Sequence, residues 1–249
     1  MKKLFITLFA IFLLIGNGFA QLHYKPYELN INAPNSENVY KRYMEGKTFL
    51  GINGGISLPL ADYGKNINLG LGLGIQAKYF ISDHFVFGAN FNFYNSSLKD
   101  EFINEQKLSF QLIANDPAMS DSTKGPLTIL SVDGSSTLYP FTLNFEYYFS
   151  PKQRFKPFVG LGLGFYVVNY NIEISTNYEK PQLFREEESK FGSKIDSYFG
   201  VTPYVGFMVD FNELMSMNFD VRNNIILSTP VNLSVSVNLG LIFNLAYKY

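Results

Sequence analysis

From Leu233 to the C-terminus, apolar residues fall on every second position. Leu233, Val235, Val237, Leu239, Leu241, Phe243, Leu245, Tyr247 and Tyr249 form one series, and Asn232, Ser234, Ser236, Asn238, Gly240, Ile242, Asn244, Ala246 and Lys248 the other. A period of two places the two series on opposite faces of a β-strand. A strand this long exceeds the roughly five or six residues usual in a soluble sheet. It suits a tilted strand crossing a bilayer, which needs about 9–11 residues in the hydrocarbon.

Seven earlier segments repeat the pattern: 48–58, 69–80, 84–94, 137–149, 155–168, 198–211 and 214–225. In the second, Leu69, Leu71, Leu73, Ile75, Ala77 and Tyr79 alternate with Gly70, Gly72, Gly74, Gln76 and Lys78. In the fourth, Tyr139, Phe141, Leu143, Phe145 and Tyr147 alternate with Thr142, Asn144 and Glu146. With the terminal segment, eight strands are predicted, an even number and the smallest size typical of outer-membrane barrels. The fold class is all-β: an eight-stranded antiparallel up-and-down transmembrane β-barrel.

The connections alternate in length. Residues 81–83, 150–154 and 212–213 make tight turns, whereas 59–68, 95–136 and 169–197 are long, with a short last connection at 226–231. Tight turns on one rim and long loops on the other match the periplasmic and extracellular ends of such barrels. Pro140, Pro157 and Pro203 fall inside predicted strands. A closed barrel offers no free edge for a missing donor, so bulges or strand ends are expected there. Within the longest loop, the apolar residues Phe102, Ile103, Leu108, Leu112 and Ile113 fit either a helix or a hairpin.

A soluble eight-stranded barrel would turn its apolar face inward and leave the other solvated. That other face is here Gly, Asn, Ser, Thr and Tyr, without the Lys and Glu that guard solvated strands. The apolar face carries no charge, as lipid demands; Lys or Arg near the midplane would cost about 2–4 kcal/mol. Composition agrees. Charged residues are 16% and aromatics 17%, against about 25% charge in an ordinary soluble protein. A net charge of -1 gives no surface for nucleic acid. Cysteine is absent, so disulfides and thiolate metal sites are excluded.

The N-terminus opens Met1-Lys2-Lys3, runs apolar to Ile15 and relaxes to Gly18-Phe19-Ala20. That order reads as a secretion signal over residues 1–20, too short to span a membrane as a helix. Residues 21–46 carry scattered charge without strand pattern and are expected to be a periplasmic tail. The barrel is expected over 47–249.

The Gly-x-Gly-x-Gly strands (Gly70, Gly72, Gly74 and Gly160, Gly162, Gly164), the stretch Leu58-Pro59-Leu60-Ala61-Asp62-Tyr63-Gly64 and the ending Leu245, Tyr247, Tyr249 resemble the small eight-stranded outer-membrane barrels of the OmpA, OmpX and OmpW kind. The resemblance covers residues 48–249. It implies outer-membrane lipid as the surrounding solvent, and a C-terminal signal at Leu245, Tyr247 and Tyr249 read by the barrel-assembly machinery. The family includes anchors, adhesins, evasion factors and narrow channels, so the resemblance speaks to architecture more than to activity.

Candidate chemistry is sparse. The glycine series sits mid-strand at strict period two, whereas a nucleotide loop needs glycines at a strand-to-helix turn. Glycines facing the lumen instead leave room for Tyr and Arg from other strands. His23 and His84 are the only histidines. One lies in the tail and one at the inner rim, and they offer no triad, metal cluster or general base. No cofactor or metal is expected.

The remaining constellation is the inward-facing charges Lys78, Glu146, Lys156, Asp220 and Arg222. Eight strands leave an interior only wide enough for side chains, and buried charges need partners. A paired network filling the lumen is therefore expected, with a gated narrow ion path as the alternative. The run Arg185-Glu186-Glu187-Glu188 reads as a solvated loop. The expected role is a non-enzymatic surface barrel, whose loops 95–136 and 169–197 contact an extracellular ligand or an envelope protein. A porin-like channel or a lipid-modifying enzyme is the alternative.

Overall fold

The alternating segments pair in sequence order. A computed structural model describes residues 44–116, 126–180, 184–185 and 193–245. Its strands are β1 (Thr48–Leu60), β2 (Ile67–Phe80), β3 (Phe85–Leu98), β4 (Ile129–Tyr148), β5 (Phe155–Thr176), β6 (Ser193–Asp210), β7 (Met215–Ile226) and β8 (Asn232–Asn244). Each runs antiparallel to the next, and β8 pairs back onto β1 to close the barrel. The expected signal segment, the tail before Met44, His23, Tyr247 and Tyr249 lie outside the described residues.

Closure with twisted strands requires a stagger. Partners traced from Gly55 through Gly72, Tyr94, Leu138 and Val168 reach Asp196, while those traced through Asn238 and Asp220 reach Gly206, ten residues away on β6. For eight strands that shear implies a tilt of roughly 40°.

The faces sort inside-out relative to a soluble protein. Leu71, Leu73 and Phe165 are 67%, 71% and 60% exposed, while Asn92, Thr142, Asn144 and Asn218 are buried. An apolar belt of that extent is stable only against lipid. Charge first appears on the outward face at the cross-strand partners Asp133 and Glu173, beyond the apolar belt. Aromatic residues collect towards the two ends of the belt. Phe85 and Tyr147 meet at 5.2 Å near the tight turns, and Phe93 and Tyr139 at 5.4 Å towards the other end.

The tight turns are closed by their own polar residues. Ser82 Oγ accepts from Phe85 N at 3.1 Å, and Asn212 Oδ1 accepts from Leu214 N and Met215 N at 2.9 and 2.7 Å.

The opposite rim differs from the sequence expectation. β4 and β5 run to 20 and 22 residues and project past the belt. Their added parts pair with one another, from Ser131 with Ser175 to Ser136 with Tyr170. On β5 the alternation continues but changes phase: Tyr170, Ile172 and Ile174 carry the apolar series on the inward parity, against Asn169, Asn171 and Glu173, so the lipid-facing series that marks the belt ends at Val167. The long loop contributes a helix: besides the short α1 (Tyr63–Asn66), α2 spans Asp100–Ala114. Asp100 and Glu101 in its first turn complement the helix dipole. Phe110 and Ala114 bury against Ile129, Val132 and Ile174 of the projecting sheet, against Leu127 just ahead of β4 and against Phe184.

The prolines bring no bulge. Around Pro140 the β3–β4 register resumes unchanged, as does the β6–β7 register around Pro203, and Pro157 pairs with Phe207 in an unbroken β5–β6 ladder. Each proline removes a donor toward one neighbour only, which interrupts a ladder without shifting it. Pro157 in addition lies near a strand end. The register shifts occur elsewhere, between Ile67 and Gly70 and between Ile129 and Ser131.

Candidate functional site

Strand parity turns one residue in two into the lumen, so the polar series of all eight strands meets there. Lys78 enters from β2, Glu146 from β4, Lys156 from β5, and Asp220 and Arg222 from β7, and every one is buried. Lys78 Nζ donates to Glu146 Oε2 at 2.9 Å, to Tyr148 OH at 3.1 Å and to Asn218 Oδ1 at 2.9 Å. It thereby bridges β2, β4 and β7 across the lumen.

Glu146 accepts further from Tyr148 OH at 3.1 Å and from Tyr204 OH at 2.8 Å. Arg222 holds its strand neighbour Asp220 through Nε at 2.7 Å and Nη2 at 3.3 Å, with its guanidinium 4.2 Å from the centre of the Tyr204 ring. Asn218 and Asn238 donate to the same Asp220 carboxylate at 3.0 and 2.9 Å. Lys156 is not part of this cluster; it pairs with Asp210.

Sequence reasoning did not assign Asp210, Asn218 and Asn238 to the network, nor the phenols Tyr94, Tyr148, Tyr166 and Tyr204. Their parity alone marked them as inward. The lumenal glycines explain how three of these four tyrosines fit. A Cβ on Gly160 would strike the Tyr204 ring, one on Gly72 the Tyr94 ring, and one on Gly200 would come within 2.6 Å of Tyr166. Tyr94 OH then reaches Asn238 Oδ1 at 2.6 Å, and Tyr166 OH bonds Thr202. On the β1–β4 side, the side-chain amides of Asn53, Gln76 and Asn90 make no hydrogen bond to protein.

Apolar clusters close both ends of this polar middle. At the tight-turn end, Phe49, Phe80, Val86, Tyr148, Phe158, Tyr204, Met208 and Ile242 pack together with Met44, the last entering from ahead of β1. At the other end Tyr63, Ile67, Tyr94, Leu98, Leu138, Tyr166, Val168 and Ile226 meet, covered by Phe102 and Ile103 of α2. Burial raises the pKa of the Tyr63 phenol, at the start of α1 outside the strands, above its ordinary value.

His84 sits at the tight-turn rim, where its Nδ1 lies 2.7 Å from Tyr148 O and its ring stacks on Tyr147 at 5.6 Å. Among the described residues no group of three His, Asp or Glu could hold a metal ion. Leu245 stands 59% exposed just after β8, in line with the lipid-facing row.

The sequence matches the family described as outer membrane protein beta-barrel domain over residues 44–243. No curated protein matches it. Among solved structures, Neisserial surface protein A (NspA) is similar at 14% identity and a TM-score of 0.50, covering 79% of this chain and 96% of that one. Ail, the attachment invasion locus protein of Yersinia pestis, solved with the heparin analogue sucrose octasulfate, shows 12% identity and a TM-score of 0.47 over 81% and 99% of the two chains. The outer membrane protein OprG of Pseudomonas aeruginosa shows 16% identity and a TM-score of 0.41 over 80% and 93%.

Proposed function

The chain belongs to the outer membrane protein beta-barrel domain family, and from that premise we propose that it is a sealed, non-enzymatic barrel of the cell outer membrane whose long loops meet a partner. The observation that carries this reading is the Lys78 bridge, which ties Glu146, Tyr148 and Asn218 together across the lumen between two apolar seals. A lumen spent on internal bonds leaves the projecting sheet of β4 and β5, with α2 on it, as the surface available for contact. That surface belongs to loops 95–136 and 169–197, which face outward in this reading and take an extracellular ligand or an envelope protein. Residues 1–20 are then a signal removed on export, residues 21–46 a periplasmic tail whose last residues seat against the barrel, and Leu245, Tyr247 and Tyr249 the ending read by the assembly machinery. His84 is bound into the opposite rim, which speaks against chemistry on outer-leaflet lipid.

Reconstitution of the purified protein in planar bilayers tests the reading. A silent barrel is expected, and steady ohmic conductance would overturn it in favour of a narrow channel.

A further inference from the structure

One member of the seal at the tight-turn end does not come from a strand. Met44 is 1% exposed and packs with Phe49, Phe80, Tyr148 and Met208 in the mouth of the barrel. The backbone that delivers it is held by specific contacts. The N–H groups of Met44 and Glu45 donate to Asp83 Oδ1 at 2.7 and 3.3 Å, on the β2–β3 turn. Gly46 then reverses the chain with a φ of 79°, a conformation that costs glycine nothing and other residues strain. Its N–H reaches Phe80 O at 2.8 Å, and Lys47 closes the turn on Met44 O at 3.0 Å. Lys152, from the neighbouring β4–β5 turn, stands 4.0 Å from the other oxygen of Asp83.

We infer that residues 44–47 are a strap, latched by Asp83, that corks the periplasmic mouth and can leave it while the barrel stays closed. The strap differs from the rest of the seal in its attachments. The strand residues cannot leave without breaking a closed ladder, whereas the strap ahead of β1 is held by the Asp83 carboxylate, the Met44 side chain and a glycine turn tied to β2 only through Phe80, whose O accepts from Gly46 N and whose N donates to Lys47 O. Asp83 lies at the water-facing rim, its side chain 20% exposed, so its two backbone bonds can be exchanged for water. The inference does not depend on what the outer loops bind.

The absence of native cysteine makes Met44→Cys a single reporter. In the folded full-length protein in detergent, this thiol should react with a water-soluble maleimide at least tenfold more slowly than a cysteine placed at exposed Glu213. Adding Asp83→Ala, or separately Gly46→Val, should raise the rate at least tenfold while the heat-modifiable mobility of the folded barrel is retained. Rapid labelling of Met44→Cys alone would overturn the strap, as would a rate unchanged by both additions. Should Asp83→Ala prevent folding, Asp83→Asn, which weakens the acceptor, should accelerate labelling in its place, and an unchanged rate there would equally overturn the strap.

Discussion

Replacing Glu146 by Gln asks how much of the barrel's stability rests on one carboxylate. The change keeps the shape of the side chain and removes its charge. Glu146 and Lys78 are 1% and 3% exposed, and the carboxylate receives three bonds of 2.8–3.1 Å from Lys78, Tyr148 and Tyr204. Removing one partner of a buried pair typically costs about 3–5 kcal/mol, because the other charge is left uncompensated. The lower end is expected here. Lys78 keeps Asn218 Oδ1 at 2.9 Å and the Phe158 ring at 4.4 Å, so its ammonium is not left bare.

A loss of about 3 kcal/mol is a shift of roughly 150-fold in the folded-to-unfolded ratio. Urea titration in detergent, read by the folded and unfolded bands of unheated gel samples, resolves it. Lys78→Met combined with Glu146→Gln removes both charges and should recover at least half the loss, since an uncharged pair of similar volume is often neutral. If Glu146→Gln alone costs under about 0.5 kcal/mol, the pair behaves like an exposed one. The lumen would then hold solvent, and the sealed-barrel reading would fail.

Arg222→Ala should lower the thermal midpoint of the folded barrel, because it strips Asp220 of its ion pair and Tyr204 of its guanidinium. Adding Asp220→Asn should restore part of the loss, and absence of any restoration would remove the pair as the cause. Cysteines at Lys107 on α2 and at Glu173 on β5 should be labelled by an impermeant reagent on intact cells, whereas one at Lys152 should not; labelling at 152 would invert the orientation. Deleting residues 247–249 should reduce the amount of barrel reaching the outer membrane while leaving export unaffected, and normal levels would remove those tyrosines from the assembly signal.

How far the sequence can be read depends on which surface each residue faces. Lipid imposes a single requirement on the outward series, apolarity, so β8 is legible from Val235, Val237, Leu239, Leu241 and Phe243 alone. The projecting ends of β4 and β5 face water on one side and a helix on part of the other. There the outward Ser131, Asp133, Asn171 and Glu173 are polar while Tyr170, Ile172 and Ile174 on the other parity are apolar, so the apolar series switches faces and the lipid-facing pattern stops although the strands continue. Helix α2 is ambiguous in sequence for a related reason. Its buried side is set by Leu127, Val132 and Ile174, residues distant in sequence that define an apolar floor only after β4 and β5 have paired. Met44 leaves no signal, since a single apolar residue ahead of a strand has no period.

Parity identifies which charges enter the lumen but not which ones meet. Partners across a barrel depend on register accumulated over the strands between them, and register is legible only where a tight turn sets it. The β6–β7 turn is such a case, and it brings Asp210 opposite Ser216 and Gly206 opposite Asp220. The long β5–β6 connection sets nothing, so the pairing of Lys156 with Asp210 leaves no mark in the sequence.

Once the register is known, the lumen balances. Lys78 is matched by Glu146, Lys156 by Asp210 and Arg222 by Asp220, and each pair lies where an unmatched charge would be costly. A pore that selects ions keeps an excess of one sign along its path to attract the permeant species. An interior whose charges cancel pair by pair between two apolar clusters fits the proposed sealed barrel, in which an ion would find no attractive site. The charged residues and the phenols of the lumen are accounted for by bonds within it, whereas the amides of Asn53, Gln76 and Asn90 on the β1–β4 side are not.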